Sequence, residues 1–464
     1  PSMRDAVLDA IDLTGLDTPT TEWSVTGSDP FFRSPIPLAA GASAALVMLG
    51  DAINQLHVTR GGPAQRIRID ADHASLSLLA MWLLQVDGQP ALAAMSDGPP
   101  PPIGQFETAD GDMLHVQPGL PHHVSRLCEI LACDPDPKRI AAALATRRGI
   151  TVEATLGRAG VPAVLVRDEA RWLDHAQGRT MRNVPVVEIE RIDDAPPVPL
   201  AAGPDPLSGL RVLDLTRVLA GPTCARTLGE YGADVLHVDS PNLLDLKSAQ
   251  ADTAHGKRMT WLDLNDPDQH GNLLDLAGST DVFVQSYRAA RLGRRGLGPR
   301  ALARLRPGIV YVSVNCYGHH GPWREYAGYD GNAMAATGIA HLHGSEPTPG
   351  IAVAMNDYAT AYWGAYGAIT ALRRRALEGG SWHVKVSLAQ SAMWFLRLPR
   401  LANGADGRSA TEVERTADHY LISEDSPYGV LRQLPPALDL NQTPPRWQRG
   451  TPLPGTSEAV WLPR

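Results

Sequence analysis

Leu210 to Asp239 reads LRVLDLTRVLAGPTCARTLGEYGADVLHVD. Leu210 to Leu215 is a near-continuous apolar run, Ala220-Gly221-Pro222 reads as a turn, Thr223 to Tyr231 as a helix, and Ala233 to Val238 as a second apolar strand ending in Asp239. Strands apolar on both sides need cover on both faces, which is how parallel sheets are built. Asp281 to Val284 and Ile309 to Val314 are further runs of the same kind. The expectation is an α/β fold with an open, mostly parallel, Rossmann-like sheet, whose ligands gather at the carboxyl ends of the strands. The first turn, Arg217 to Pro222, offers one Gly and a Pro where a dinucleotide fold has G-x-G-x-x-G. No nicotinamide or flavin cofactor is therefore expected.

Outward from this unit the chain repeats itself. Gly41 to Leu79 and Ala361 to Leu396 each read as an Ala-rich helix, a Gly-Gly turn (Gly61-Gly62, Gly379-Gly380), a strand of alternating basic and β-branched residues, and a second helix. Sliding His383 onto Arg66 sets Asp357 opposite Ala39 or Ala40. An acid present in one copy of a duplicated scaffold does something the scaffold itself does not require. Asp357, behind Met355-Asn356 and ahead of a helix, could also serve as an N-cap, a role worth about 1 kcal/mol.

Composition excludes several classes. With 464 residues and 44% hydrophobic content the chain buries a large core, and a net charge of −8 gives no bulk attraction to nucleic acid; Arg373-Arg374-Arg375 reads as a solvated basic face. Four cysteines without CxxC spacing fit a reducing compartment, and cytoplasm is the expected location. The longest apolar stretch, Ile36 to Gly50, is too short to span a bilayer, no leader pattern is visible, and Pro1-Ser2 ahead of Met3 reads as an appended remnant. His122-His123, His319-His320 and His341-x-His343 lack acids or cysteines at ligand spacing, so no metal is expected. Ser387 and Ser391 have no elbow glycines. Cys224, just inside a helix N-terminus, reads as a small packing residue or a thiol of lowered pKa.

Linked motifs then carry a family resemblance. GLRVLDLTRVLAGPTCARTLGEYGADVLHVDSP, HGKRMTWLDLN, DVFVQSYRAARLGRRGLG, RPGIVYVSVNCYGHHGPWREYAGYDGNAMAATG, the segment around Asp357 and KVSLAQSAM, spanning Gly209 to Leu396, closely resemble the family III CoA-transferases, the CaiB/BaiF group of formyl-CoA transferase and carnitine CoA-transferase. The N-terminal part resembles segments that come later in that family: Gly41 to Leu79 the stretch after the catalytic acid, FETADGDMLHV the opening of the small domain, GVPAVLVRDEARWLDHAQ its close, and Asn183 to Pro199 the return to the large domain. The resemblance implies a trimmed tandem fusion in which the small domain precedes the large one. It divides the chain into a helix-strand-helix segment (1–96), a small α+β domain (97–191), a Pro-rich linker (192–208), a Rossmann-like CoA-binding and catalytic domain (209–424) and a Pro-rich tail (425–464).

The same resemblance implies the chemistry. Asp357 would attack an acyl-CoA thioester, giving a mixed anhydride and then an aspartyl-CoA thioester that an acceptor carboxylate resolves, with coenzyme A as substrate, a small carboxylic acid as acceptor and no redox cofactor. Tyr329-Asp330 matches the family's Tyr and acidic pair. The CoA-binding turn maps onto Val218, Leu219 and Ala220, with Leu262 on the next strand; Ser286-Tyr287-Arg288 stands where the family has Asn-Phe-Arg, and Arg294 holds its place in the following helix. Leu219 replaces a Gln of formyl-CoA transferase, which argues against oxalate or formate and for a larger or more apolar acyl group. Members that racemise 2-methylacyl-CoA esters carry His at the Tyr329 position, so a racemase-type enzyme is one alternative, with His319-His320 as substitute partners. Prolines in DGPPPPIG, where formyl-CoA transferase has a mobile glycine loop, leave a second: a non-catalytic CoA-binding or partner protein. The family's subunits interlock, so a homodimer is expected, with no nucleic-acid or membrane partner.

Overall fold

The computed structural model describes residues 2–243, 245–344 and 354–464. Its centre is a seven-stranded sheet in the order Arg258–Trp261, Asp234–Asp239, Arg211–Leu215, Val282–Gln285, Val310–Asn315, Ser381–Ser387 and Glu188–Asp193. The first six strands are parallel and the last is antiparallel to Ser381–Ser387. Chain order runs outward one way from Arg211–Leu215 and then returns to its other side at Val282–Gln285, so the sheet's switch point, where crevices open, lies between these two strands.

Alternation fills both faces. Val212, Val235, Val282, Val310 and Val384 join one cluster with the helices Ala220–Glu230 and Met355–Glu378, whereas Leu213, Leu236, Phe283 and Tyr311 meet Leu273, Leu276 and Leu302 on the other face. The duplicated segment folds twice. Helix Leu38–Thr59, Gly61-Gly62, strand Ile67–Asp70 and helix Ala71–Ser77 mirror helix Met355–Glu378, Gly379-Gly380, strand Ser381–Ser387 and helix Leu388–Arg397. The correspondence starts earlier than Gly41: Trp23–Thr26 is parallel to Ile67–Asp70 as Val310–Asn315 is to Ser381–Ser387. The two long helices pack on each other.

Several local readings are settled or changed. Ala220-Gly221-Pro222 is no turn but the first turn of helix Ala220–Glu230, where a proline lacks no needed N–H; the turn itself is Arg217 to Leu219. Gly221 is required there, since a Cβ would lie 2.5 Å from Thr216 Cβ. Cys224 is fully buried, and burial followed by the charge of Asp214 raises its thiol pKa, so it is a packing residue and not a low-pKa thiol. Strand Glu188–Asp193 runs through the expected boundary at 191 and completes the large sheet, and the Pro-rich tail supplies Leu438–Leu440, antiparallel to Ile67–Asp70. The small sheet is Gly104–Glu107, Met113–Val116 and Ala163–Leu165, all antiparallel neighbours. No helix among the described residues is long and apolar enough to cross a membrane.

Candidate active site

Helix Met355–Glu378 starts at the edge of the crevice and carries Asp357 in its first turn, only 8% exposed. Helix Asp330–Thr337 brings Asp330, 3% exposed, against it. The Asp330 carboxylate accepts the backbone N–H of Asp357 at 2.8 Å and the side-chain amide of Asn356 at 2.9 Å. Asp330 therefore does the capping work that the first turn needs, and the Asp357 carboxylate takes no part in the cap.

Two buried carboxylates this close cannot both ionise readily. Burial, opposed by the bonds from Asp357 and Asn356, raises Asp330 to about 7. Burial and then the charge of Asp330 push Asp357 well above the usual carboxylate range. Of the two, Asp330 is the readier to ionise because two donors already point at it. Cys316 lies nearby: burial, then Asp330 and Asp357, raise its thiol, which donates to the Tyr329 carbonyl at 3.6 Å.

Tyr329 projects from the residue before Asp330. Burial leads, with Asp245 and Asp357 adding to it against Arg217, and raises its phenol pKa, so the ring keeps its proton. The ring lies under the small domain, where a Cβ on Gly119 would meet Cε2 at 3.3 Å, and its hydroxyl sits 3.1 Å from His123 Nδ1. The sequence offered His319 and His320 as partners here. The structure turns both away: His319 Nε2 is bonded to the Val386 carbonyl at 3.0 Å and His320 to Glu188 at 2.9 Å. His123 takes the place beside Tyr329 instead.

The crevice floor is the turn after Arg211–Leu215. Val218 has φ +68°, the left-handed region that a β-branched residue seldom adopts, and its N–H donates to Asp245 at 3.2 Å. Arg217 pairs with Asp245 at 3.8 Å, and the Arg217 N–H donates to Ser286 Oγ at 3.0 Å. Ser286, in the place of a family Asn, thus ties the two switch-point turns together. Leu219 and Ala220 are buried at the helix start, Leu262 is buried with its N–H on the Asp239 carbonyl, and half-buried Tyr287 packs against the cluster containing Leu215 and Leu292. Arg288 leans toward the small domain, since a Cβ on Gly160 would come within 2.9 Å of its guanidinium, and Arg294 stands exposed on helix Ala289–Arg294.

Beneath the turn lies a buried charge network absent from the sequence reading. Asp214 bonds His237 Nδ1 at 2.9 Å and Lys257 Nζ at 2.8 Å, and Lys257 also donates to the Pro222 carbonyl at 2.7 Å. Burial alone would raise Asp214, but Lys257 and His237 outweigh it and hold the acid down at about 2. Burial alone would lower His237, and Asp214 with Asp239 lifts it to about 10. The network fixes the turn from below.

The Pro-rich stretch after Ser96 lies by helix Lys247–Thr253, with Asp97 paired to Lys247. On the other side of the crevice, His122 is lowered by burial and then by Arg217, Arg126, Arg291 and Arg288. Four arginines from two domains thus act on one imidazole, so positive charge gathers around His122. Arg126 and His123 escaped the sequence reading because a His-His pair on an amphipathic helix carries no ligand spacing.

Residues 207–431 match the family model described as CoA-transferase family III. Acetyl-coenzyme A transferase nodX of Hypoxylon pulicicidum is 38% identical over 41% of this chain and 34% of its own length. The Succinyl-CoA–L-malate CoA-transferase beta subunit of Chloroflexus aurantiacus is 35% identical over 40% of this chain and 50% of its own, and the human Succinyl-CoA:glutarate CoA-transferase is 37% identical over 36% and 41%. The chain spans about half the length, or less, of these curated relatives. The matched residues 207–431 hold the switch-point turn, Tyr329-Asp330 and Asp357, and over that span the chain is similar to CoA-transferase family III.

Proposed function

We propose that this chain is an acyl-CoA:carboxylate CoA-transferase in which Asp357 is the nucleophile. The observation that carries the reading is the division of labour between the paired acids: Asp330 satisfies the helix N-terminus, so Asp357 is free to react. The Asp357 carboxylate attacks the thioester carbonyl and expels CoA thiolate; the thiolate attacks the aspartyl carbonyl of the anhydride and releases the donor acid. An acceptor carboxylate then reverses both steps and leaves as its CoA ester. Burial excludes water from the anhydride, and Tyr329 supplies a phenol proton to the oxyanion. Val218, Leu219, Ala220, Leu262 and the Ser286-Tyr287-Arg288 turn hold CoA, with Arg288 and Arg294 at its phosphates. Named relatives that act on succinyl-CoA make it one donor to try, beside the larger or more apolar acyl-CoAs that Leu219 favours.

The racemase reading loses support at His123. Burial, then His122 and Arg288, hold this imidazole at about 3, far from the pKa of a working base at neutral pH. Intact-protein mass spectrometry after incubation with succinyl-CoA or acetyl-CoA tests the proposal. A gain of one CoA in the wild type and none in Asp357→Ala supports it; binding of CoA without any adduct overturns it. The homodimer belongs to the same proposal, and light scattering distinguishes it from a 49.8 kDa monomer.

A further inference from the structure

We propose that His123 is a positioning residue that aims the Tyr329 hydroxyl at the reacting acyl oxygen; the inference rests on the reading of Asp357 as nucleophile. The two residues are 206 positions apart in the chain, and the packing of helix Pro121–Leu131 over Tyr329 brings them together. Tyr329 Oη lies 3.1 Å from His123 Nδ1, and the rings meet edge to face at 5.8 Å and 69°. His123 is 8% exposed, at the start of helix Pro121–Leu131. The approach to it is just as tight: a Cβ on Gly331 would strike Gln117 Oε1 at 2.4 Å and His115 Nε2 at 2.7 Å. Residues 115–123 form a fitted roof over residues 329–331.

A roof requires only shape, but the hydrogen bond has a further consequence. A phenol owns one proton. If Tyr329 donates it to His123, none remains for an oxyanion; if the imidazole presents Nδ1–H to Oη, the phenol proton is directed elsewhere, toward the crevice. A neutral imidazole can present either face, and burial, followed by His122, Arg288, Arg217 and Arg126, keeps His123 neutral. An arriving anionic oxygen draws the phenol proton because a charge-assisted bond is the stronger one. His123 then serves as donor to Oη and holds the ring in that orientation.

The experiment measures the rate of CoA-adduct formation from succinyl-CoA, together with CoA binding by calorimetry and the thermal midpoint, in the wild type, His123→Ala, His123→Asn, Tyr329→Phe and His123→Ala/Tyr329→Phe. The expected results are a loss of about ten-fold in His123→Ala, recovery of most of it in His123→Asn, whose amide reaches the Nδ1 position, and CoA affinity within about two-fold throughout. The double variant should be no slower than Tyr329→Phe, because His123 acts through the phenol. Additive losses, or equal losses in the Ala and Asn variants accompanied by weaker CoA binding and a lower midpoint, would mean that the pair only fastens two domains, and would overturn the proposal. A wild type that binds CoA without an adduct overturns the reading of Asp357 and this proposal with it; an adduct whose rate ignores His123 overturns this one alone.

Discussion

Asp29 holds the post in the first copy that Asp330 holds in the second. Its carboxylate accepts the N–H of Ala39 at 3.1 Å and of Ala40 at 2.9 Å, as that of Asp330 accepts the Asn356 amide and the Asp357 N–H. The pairing sets Ala40, and not Ala39, opposite Asp357. Both copies carry the cap, and only the second carries an acid at the capped position.

Ala40→Asp rebuilds the acid pair in the first copy without the rest of the site, since Ser28 stands where Tyr329 would. Ala40 is fully buried and burial already raises Asp29, so a second carboxylate there should destabilise the fold by roughly 1–3 kcal/mol at pH 8 and by less at lower pH, where protonation relieves the repulsion. Chemical denaturation at pH 8 and at acid pH checks this. In an Asp357→Ala background the new acid should take up no CoA, as mass spectrometry would show.

Asp357→Asn should stabilise the protein while abolishing the adduct. Burial and Asp330 raise the folded-state pKa of Asp357 above its unfolded value, so the folded chain holds a proton that the unfolded chain has lost. Stability from this group is therefore full at acid pH and declines as pH rises through the folded value. The substitution should be near neutral at pH 4 and gain about 1 kcal/mol at pH 8. Thermal midpoints recorded across that range decide it; a gain that is larger at pH 4 would contradict the sign.

Asp330→Asn removes the charge that holds a proton on Asp357 but keeps an oxygen able to accept the Asp357 N–H. The pKa of Asp357 should fall, and the acid limb of adduct formation should move to lower pH than in the wild type. Single-turnover rates between pH 5 and 9 follow the limb. A shift to higher pH would mean that Asp330 acts on Asp357 chiefly by some route other than charge.

The sheet was legible because its strands are covered on both faces: apolar runs such as Leu210 to Leu215 have few other uses, and each lies within a residue of its strand. The Gly-Gly turns revealed the duplication for a similar reason: Gly61, Gly379 and Gly380 have positive φ, and a Cβ on Gly62 would strike the His57 ring. Asp29 was not legible. It follows its strand, Trp23–Thr26, by three residues, whereas Asp330 follows Val310–Asn315 by fifteen, so no sliding of one copy along the other aligns them. The contact of Tyr329 with His123 depends on how two domains dock, and local pattern does not encode that. Prolines misled in two places: Pro222 read as a turn and opens a helix, and the Pro-rich end read as a bare tail yet pairs with Ile67–Asp70.

Val218→Gly should stabilise the chain and weaken its grip on CoA. At φ +68° a valine is strained by about 1–3 kcal/mol, and glycine relieves this at an entropic cost of roughly 0.5–1 kcal/mol, for a net gain near 1 kcal/mol. The strain persists because the turn is fixed from several sides: the Val218 N–H on Asp245, the Arg217 N–H on Ser286, and Lys257 on the Pro222 carbonyl. A rigid turn presents its backbone to the ligand in one geometry, and glycine lets it wander before binding. The midpoint should therefore rise while the calorimetric Kd for CoA grows several-fold. If Kd is unchanged, the strained turn is not where CoA is held, and the placement of Val218, Leu219 and Ala220 at the ligand is wrong.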